Sequence, residues 1–360
     1  MTIASVAVFF LMCGAWGFFA KVFPETGWDF SQFYIAGSIP LDSLYDRATY
    51  EQFGKDELAP LGVNYYPPYV RPAIFAVPLK LLAFFSYRNA EILFFAIQFA
   101  LYLVTLWLAF RRFDLPRHLL PAFALFQPAL MGIVTGQDPH TLALLVFSGF
   151  LLLESDHDVA AGLVWALCLY KFNLVLGLPL LLLVRARWRA LGAFSAGGAV
   201  LAAISIALAP ANEYLTLLGS IESYTINFTP EQMIGLRNLA YAVDMPPLYP
   251  VAALVVAGLS VASIRKATLP AAFTIAVLGS VLCSYHINWY DAAILTPCFA
   301  YILSEKPGYL KFLALALIVV LRLWSLPHWI GCGLLLLWVG LVLANRPPAV
   351  EAGVSDAASA

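Results

Sequence analysis

Apolar runs of membrane-spanning length recur along almost the whole chain, and nothing else constrains its fold as tightly. They lie near residues 2–20, 89–110, 118–135, 139–154, 158–171, 172–185, 189–209, 248–264, 268–284, 290–304, 308–323 and 328–344. A helix needs ~20 apolar residues to cross ~30 Å of hydrocarbon. In lipid every backbone amide must be satisfied inside the protein, which favours helices. Of the 360 residues, 62% are hydrophobic and only 11% are charged, against about 25% charged in soluble domains. The expectation is an all-α polytopic membrane protein of about twelve transmembrane helices. It forms a single domain over 1–345, with a Pro/Ala/Ser-rich, disordered cytoplasmic tail at 346–360.

Other classes lose support from the same reading. A net charge of −1 gives no whole-protein argument for nucleic acid. All five cysteines fall inside apolar runs without CxxC spacing, as small core residues rather than disulfides or metal ligands. Met1 to Ala20 lacks a basic leader and a small-residue cleavage site, so it reads as a retained first helix. No Gly-rich phosphate loop, HExxH pair or GxSxG elbow occurs. Asp156-His157-Asp158 has metal-binding DxD spacing, but it falls in a tight turn between two helices and reads as a solvated turn.

Charge sets the topology. The segment 71–85 contains Pro72, Pro78 and Lys80 and follows Pro67-Pro68, which favours a re-entrant or interfacial helix over a span. If it does not cross, Arg111/Arg112/Arg117, Arg185/Arg187/Arg189, Arg265/Lys266, Lys306/Lys311 and Arg346 all fall on one side with both termini. Basic loops are retained in the cytoplasm, so that side is cytoplasmic. Two long loops, about 21–88 and 210–247, are then extracytoplasmic. The first is acidic, with a short amphipathic surface helix expected over 48–58; the second carries a helix over 212–224 and the polar runs Asn227-Phe228-Thr229-Pro230 and Arg237-Asn238.

On this topology the polar residues at the outer helix ends converge: Asp29, Gln137-Asp138-Pro139-His140, Lys171, Arg237-Asn238, His286 to Asp291, and Arg322. Ionisable groups at membrane level are costly and mark a functional site by default. Asp29, between Trp28 and Phe30, is either a desolvated general base or the N-cap of the helix that follows it. Lys171 interrupts an apolar stretch and either snorkels to the interface or holds a phosphate as a point charge. His286 is a hydrogen-bonded interface residue or part of the site. Arg237 and Arg322 either grip a lipid phosphate bidentately or bind a headgroup.

Trp28-Asp29-Phe30-Ser31-Gln32-Phe33-Tyr34-Ile35-Ala36, then Leu44-Tyr45-Asp46 and Tyr65-Tyr66-Pro67-Pro68, resemble the first extracytoplasmic loop of glycosyltransferase family 87. Gly136-Gln137, Ala161-Gly162, Tyr170-Lys171, the Arg185 to Leu191 turn and His286 to Trp289 follow in the family's order, so the resemblance covers roughly 25–300. The chain departs from the family pattern at Lys171-Phe172-Asn173, where proline often follows the lysine, and at Ser284 to Trp289, where paired histidines are common.

The resemblance implies a GT-C fold with juxtamembrane helices in a long first loop, an aspartate base at Asp29 and a polyprenyl-phosphate sugar as donor. The expected activity is inverting transfer of that sugar, mannose by default and arabinofuranose otherwise, to a lipid-linked or glycan acceptor. Asp29 is the expected base, with the donor phosphate on Lys171, Arg237 and His286. Substrate contacts are expected from Tyr45, Tyr66, Gln137, Asn238 and Trp289, with no metal and no cofactor. The setting is the inner (cell) membrane, with the site facing outward. A transporter or flippase of a lipid-linked saccharide is the alternative; such proteins show internal repeats and mid-membrane charges, whereas here the charges gather at one face beside a long loop.

Overall fold

The computed structural model describes residues 29–224, 233–320 and 327–345. The first apolar segment at 2–20, Trp28, the Asn227 run, Arg322 and the tail from Arg346 lie outside the described residues. Secondary structure among the described residues is entirely helical. Two short helices, α1 (Phe30–Ser38) and α2 (Arg47–Phe53), precede the long apolar α3 (Tyr87–Arg112). Then come α4 (Leu120–Ala124), α5 (Gln127–Val134), α6 (Pro139–Glu154), α7 (Asp158–Leu167), α8 (Gly177–Val184), α9 (Trp188–Leu208) and α10 (Ala211–Tyr224). The remainder is α11 (Leu236–Ala242), α12 (Leu248–Ile264), α13 (Leu269–Cys283), α14 (Thr296–Glu305), α15 (Gly308–Val320) and α16 (Pro327–Ala344).

Among the described residues, two helices, Tyr87–Arg112 and Trp188–Leu208, are by length and composition long and apolar enough to cross a membrane. Several apolar segments are broken where one span was expected. The 118–135 run is two helices bent by 47°, because Pro128 has no N–H to carry the ladder back across Leu125. The segments expected at 158–171 and 172–185 are α7 and α8, joined by 3₁₀ turns over Cys168–Leu174, in which Lys171 leaves helical geometry (φ −126°, ψ 54°). Similarly, 290–304 opens with 3₁₀ turns at Trp289–Leu295 before α14. The segment 71–85 is two 3₁₀ pieces, Ala73–Ala76 and Pro78–Phe84, rather than one helix. It packs on α1 and leaves Leu81 and Phe84 exposed. The helix expected over 48–58 stops at Phe53 and continues as a π turn and a 3₁₀ turn.

Freed backbone groups are met by side chains, as a low-dielectric environment demands. Gly177 N donates to Ser280 Oγ (2.7 Å), and Asn173 Nδ2 donates to Ser284 Oγ (3.0 Å) and His286 O (2.6 Å). Helices α7 and α9 approach backbone to backbone: a Cβ on Gly162 would lie 2.1 Å from Ala190 O. The main core joins α3 to α9 and α11 to α16 and centres on Trp165, Phe147, Phe150, Phe273 and Phe299.

The first loop has an apolar core of its own. Phe30, Phe33, Leu44, Tyr45, Tyr50, Tyr69 and Leu82 pack against Tyr87 and Phe94 of α3, Ile133 of α5 and Leu217 of α10. This second core fixes the loop on one end of the bundle. The opposite end is clamped by charge: Arg112 to Glu154, Arg187 to Asp156 (2.8 Å) and Asp158 (3.3 Å), Arg185 to Ala267 O, and Lys306 to Asn345 (3.1 Å). The two carboxylates of the DxD-spaced turn are therefore taken by Arg187.

Candidate active site

Asp29 stands where the first loop meets the bundle. Its N–H donates to Thr135 O (2.9 Å) at the end of α5. The adjoining Gly136 has φ +75°, and a Cβ there would fall 2.5 Å from Phe30 Cβ. Only glycine lets the 135–138 turn close onto the start of α1. Asp29 precedes Phe30, yet its side chain makes no cap hydrogen bond; its carboxyl is bonded by Gln137 instead. The N-cap alternative for Asp29 is thus not the arrangement the fold adopts.

Beside Asp29 lies a buried cluster of alternating charge. Arg71 Nη2 donates to Asp138 Oδ1 (2.8 Å) and faces Gln137 Oε1 (3.4 Å), while Nη1 reaches Gln32 Oε1 (3.3 Å). Lys171 Nζ bridges Asp138 Oδ1 (3.1 Å) and Asp291 Oδ1 (2.9 Å). Asp291 also accepts from Asn288 N (3.1 Å), closing a capping box that orients the 288–291 turn. Asp138 heads α6 without capping it, its carboxylate being spent on the two cations. The guanidinium of Arg71 rests over Phe33 (4.4 Å), Tyr170 (5.7 Å) and Tyr69 (5.9 Å), and its Nε has no hydrogen-bond partner.

Asp138 and Asp291 share Arg71 and Lys171, and Asp29 sits next to this balanced set on a neutral amide. Burial raises the Asp29 pKa from 3.8 to about 6, against the opposing pull of the Gln137 bond and the charges of Lys171 and Arg71. A carboxyl poised near neutrality can take a proton from a hydroxyl.

The remaining expected residues distribute around this centre. His286 feels Asp291, Lys171 and Arg237, and burial holds it toward the neutral form. Arg237, on α11, lies over the Tyr285 ring (3.8 Å) and donates to Tyr285 O (3.2 Å); Asn238 is buried beside it. Trp289 lies at the start of the 289–295 turns against Tyr290 (5.9 Å between rings). Tyr45 is buried and donates to Arg71 O (2.8 Å), so it braces the arginine's backbone. Tyr66 donates to Val63 O (2.8 Å) and lies further out in the loop.

The sequence reading gave no role to Arg71, and named Asp138 and Asp291 only as members of the polar cluster. Arg71 served there as the edge of an apolar segment; its signal is a lone cation wedged between Val70 and Pro72 in a proline-rich run. Among the described residues, no three His, Cys, Asp or Glu side chains gather as metal ligands.

No curated protein and no solved structure matches the chain. Residues 66–285, well over half of it, match glycosyltransferase family 87, a span that includes Arg71, Gln137, Asp138, Lys171, Arg237 and Asn238. All-helical architecture, apolar helices and this match agree, and the chain belongs to glycosyltransferase family 87.

Proposed function

We propose that this glycosyltransferase moves a sugar from a polyprenyl-phosphate donor to a hydroxyl of a lipid-linked or glycan acceptor, with inversion, at the extracytoplasmic face of the cell membrane. Mannose is the sugar the family resemblance suggests, and arabinofuranose is the other candidate. The polyprenyl tail stays among the helices. Asp29 accepts the acceptor's hydroxyl proton as the oxygen bonds to the anomeric carbon. The bond from that carbon to the phosphate oxygen breaks, and polyprenyl phosphate leaves with the electron pair. Arg237 and Lys171 offer positive charge to the leaving phosphate, where cationic groups stabilise the charge that builds up, and neutral His286 can donate an N–H to it. Inversion in one displacement needs one base and no enzyme nucleophile.

The observation that carries this reading is the position of Asp29: a buried carboxyl on a neutral amide, next to paired charges that use up the other two carboxylates. The test is turnover by the full chain in lipid nanodiscs, given polyprenyl-phosphate mannose and a lipid acceptor extract. Wild type should release polyprenyl phosphate in step with glycosylated product. Asp29→Asn should lose about 100-fold or more, the usual worth of a general base. Undiminished turnover by Asp29→Asn would remove the base, and passage of intact donor across a vesicle without turnover would favour the transporter.

A further inference from the structure

Arg71 holds two segments of the chain at once, and they are the two that meet at Asp29. One is α1. Arg71 Nη1 donates to Gln32 Oε1 (3.3 Å), one helical turn beyond Asp29, and the guanidinium lies over the ring of Phe33 (4.4 Å). The other is the turn that ends α5. Arg71 Nη2 donates to Gln137 Oε1 (3.4 Å) and to Asp138 Oδ1 (2.8 Å). That turn is pinned by its own backbone: Gly136 N donates to Ile133 O (3.0 Å), Gln137 N to Gly132 O (2.8 Å), and Asp29 N to Thr135 O (2.9 Å). Arg71 is braced from behind, because Tyr45 donates to its carbonyl (2.8 Å). Arg71, Gln32 and Gln137 are all buried.

Hydrogen-bond chemistry gives this hub a direction. A guanidinium has only donors and an ionised carboxylate only acceptors, whereas an amide has one end of each kind. Gln137 lies between Arg71 and Asp29 and bonds both. Its oxygen faces Arg71, which leaves its NH₂ for the Asp29 carboxylate. The flipped amide would set donor against donor at one end and acceptor against acceptor at the other. Lysine in place of Arg71 would keep the charge and lose the hold, since an ammonium reproduces neither the planar fork nor the stack on Phe33.

We propose that Arg71 is the positioning residue of the base: its fork locks α1 to the 135–138 turn and sets the Gln137 amide, so that Asp29 is held with an N–H on its carboxylate, facing the acceptor's proton. The purpose of this hold rests on the transferase reading, but the hold itself can be measured without turnover.

The charged and titratable groups facing Asp29 are Arg71, Lys171, Asp291 and the phenols of Tyr65 and Tyr290. The probe is the infrared band of the protonated Asp29 carboxyl in the full chain in nanodiscs, identified by its absence from Asp29→Asn and titrated with pH. In wild type its midpoint should fall at about 6. Arg71→Lys keeps a cation beside Asp138 and releases the amide, whereas Gln137→Leu removes the amide and leaves the Arg71–Asp138 pair in place. Both should move the midpoint to higher pH, because a carboxylate that loses a hydrogen-bond donor ionises less readily. In turnover each should lower kcat about tenfold or more with little change in either KM, since a misplacement of ~1 Å can cost about 100-fold. In an Asp29→Asn background Arg71→Lys should cost nothing further, because its effect passes through that carboxyl.

Unmoved midpoints in both variants overturn the inference, as does a loss of the same factor with and without the Asp29 carboxyl, the mark of a general structural role. Shifted midpoints in a protein whose Asp29→Asn form turns over normally would leave the hold standing and remove Asp29 as the base. Full loss in Asp29→Asn, with midpoint and kcat untouched in the other two variants, would do the reverse.

Discussion

Arg71 and Asp138 meet at 2.8 Å inside the protein, joining the first loop to the start of α6 across 66 intervening residues of sequence. Removing one partner of a buried pair leaves an uncompensated charge and costs about 3–5 kcal/mol. Arg71→Met should therefore lower thermal stability in detergent sharply. Arg71→Met leaves Lys171 alone to balance Asp138 and Asp291, so combining it with Asp138→Asn should recover part of the loss by removing the excess buried carboxylate. Equal melting temperatures for wild type and Arg71→Met would show that the pair does not anchor the loop.

In the proposed mechanism Asp29 sets the acid side of the pH profile. With a pKa of about 6, it is protonated and inactive as a base well below that value and ionised above it. Turnover should rise tenfold per pH unit below about 6 and level off above. The stability sign runs the other way from that of a paired carboxylate. The folded state holds its proton up to about 6 while the unfolded chain releases it near 3.8, so the fold loses stability as pH rises between those values. Asp29→Asn should therefore melt higher than wild type at neutral pH, with the gap closing as the pH falls toward 4. A gap that does not change with pH would contradict a raised Asp29 pKa.

The neighbours of Asp29 should move that limb in opposite directions. Lys171 and Arg71 favour the ionised carboxylate, and Asp291 opposes it. Lys171→Met should shift the acid limb to higher pH, and Asp291→Asn to lower pH. The check is the full pH profile of each variant, because a general loss of folding would scale the curve without moving it.

Gly136 and Gly62 share the left-handed region, at φ +75° and +82°, and differ in surroundings. A Cβ on Gly136 would collide with Phe30, whereas Gly62 has nothing within 4 Å. Gly62→Ala meets only the backbone strain of about 1 kcal/mol. Gly136→Ala adds a displacement of α1, and with it Asp29. Its expected signature is a loss of activity out of proportion to the loss in melting temperature.

Much of this arrangement is legible in the residues, and the part that is not has a physical cause. Apolar runs locate α3, α6, α9 and α12 within a residue or two, since each is capped by charge or proline at its ends. The break at Lys171 is legible as a helix boundary, whereas that at 125–126 lies inside apolar sequence with no punctuation beyond Pro128; near the first, Ser280 of α13 accepts from Gly177 N and the Asn173 side chain ties the turn to the 284–286 segment. The convergence of Asp29, Gln137, Asp138, Lys171 and Asp291 follows from placing helix ends on one face. Arg71 does not follow in this way. Its partner is 67 residues away, and which carboxylate it meets depends on how the Pro67-Pro68 run folds back across α1, a choice made by packing and not by local pattern.

The two ends of the bundle differ in charge, and their proposed placement across the bilayer can be tested. Arg112, Arg185, Arg187 and Lys306 all bind at the end remote from Asp29, joining the turns between successive helices. Basic loops are retained on the cytoplasmic side, so the proposed orientation has Asp29 and the first loop outside. Lys55 has 63% of its side chain exposed in that loop, and His157 is exposed in the Arg187-clamped turn. In intact cells a membrane-impermeant maleimide should label Lys55→Cys, and it should label His157→Cys only after permeabilisation. The wild-type chain, whose Cys168 and Cys298 are buried, gives the background signal. Labelling of His157→Cys in sealed cells would invert the molecule and move the base to the cytoplasm, where a lipid-linked donor facing outward could not reach it.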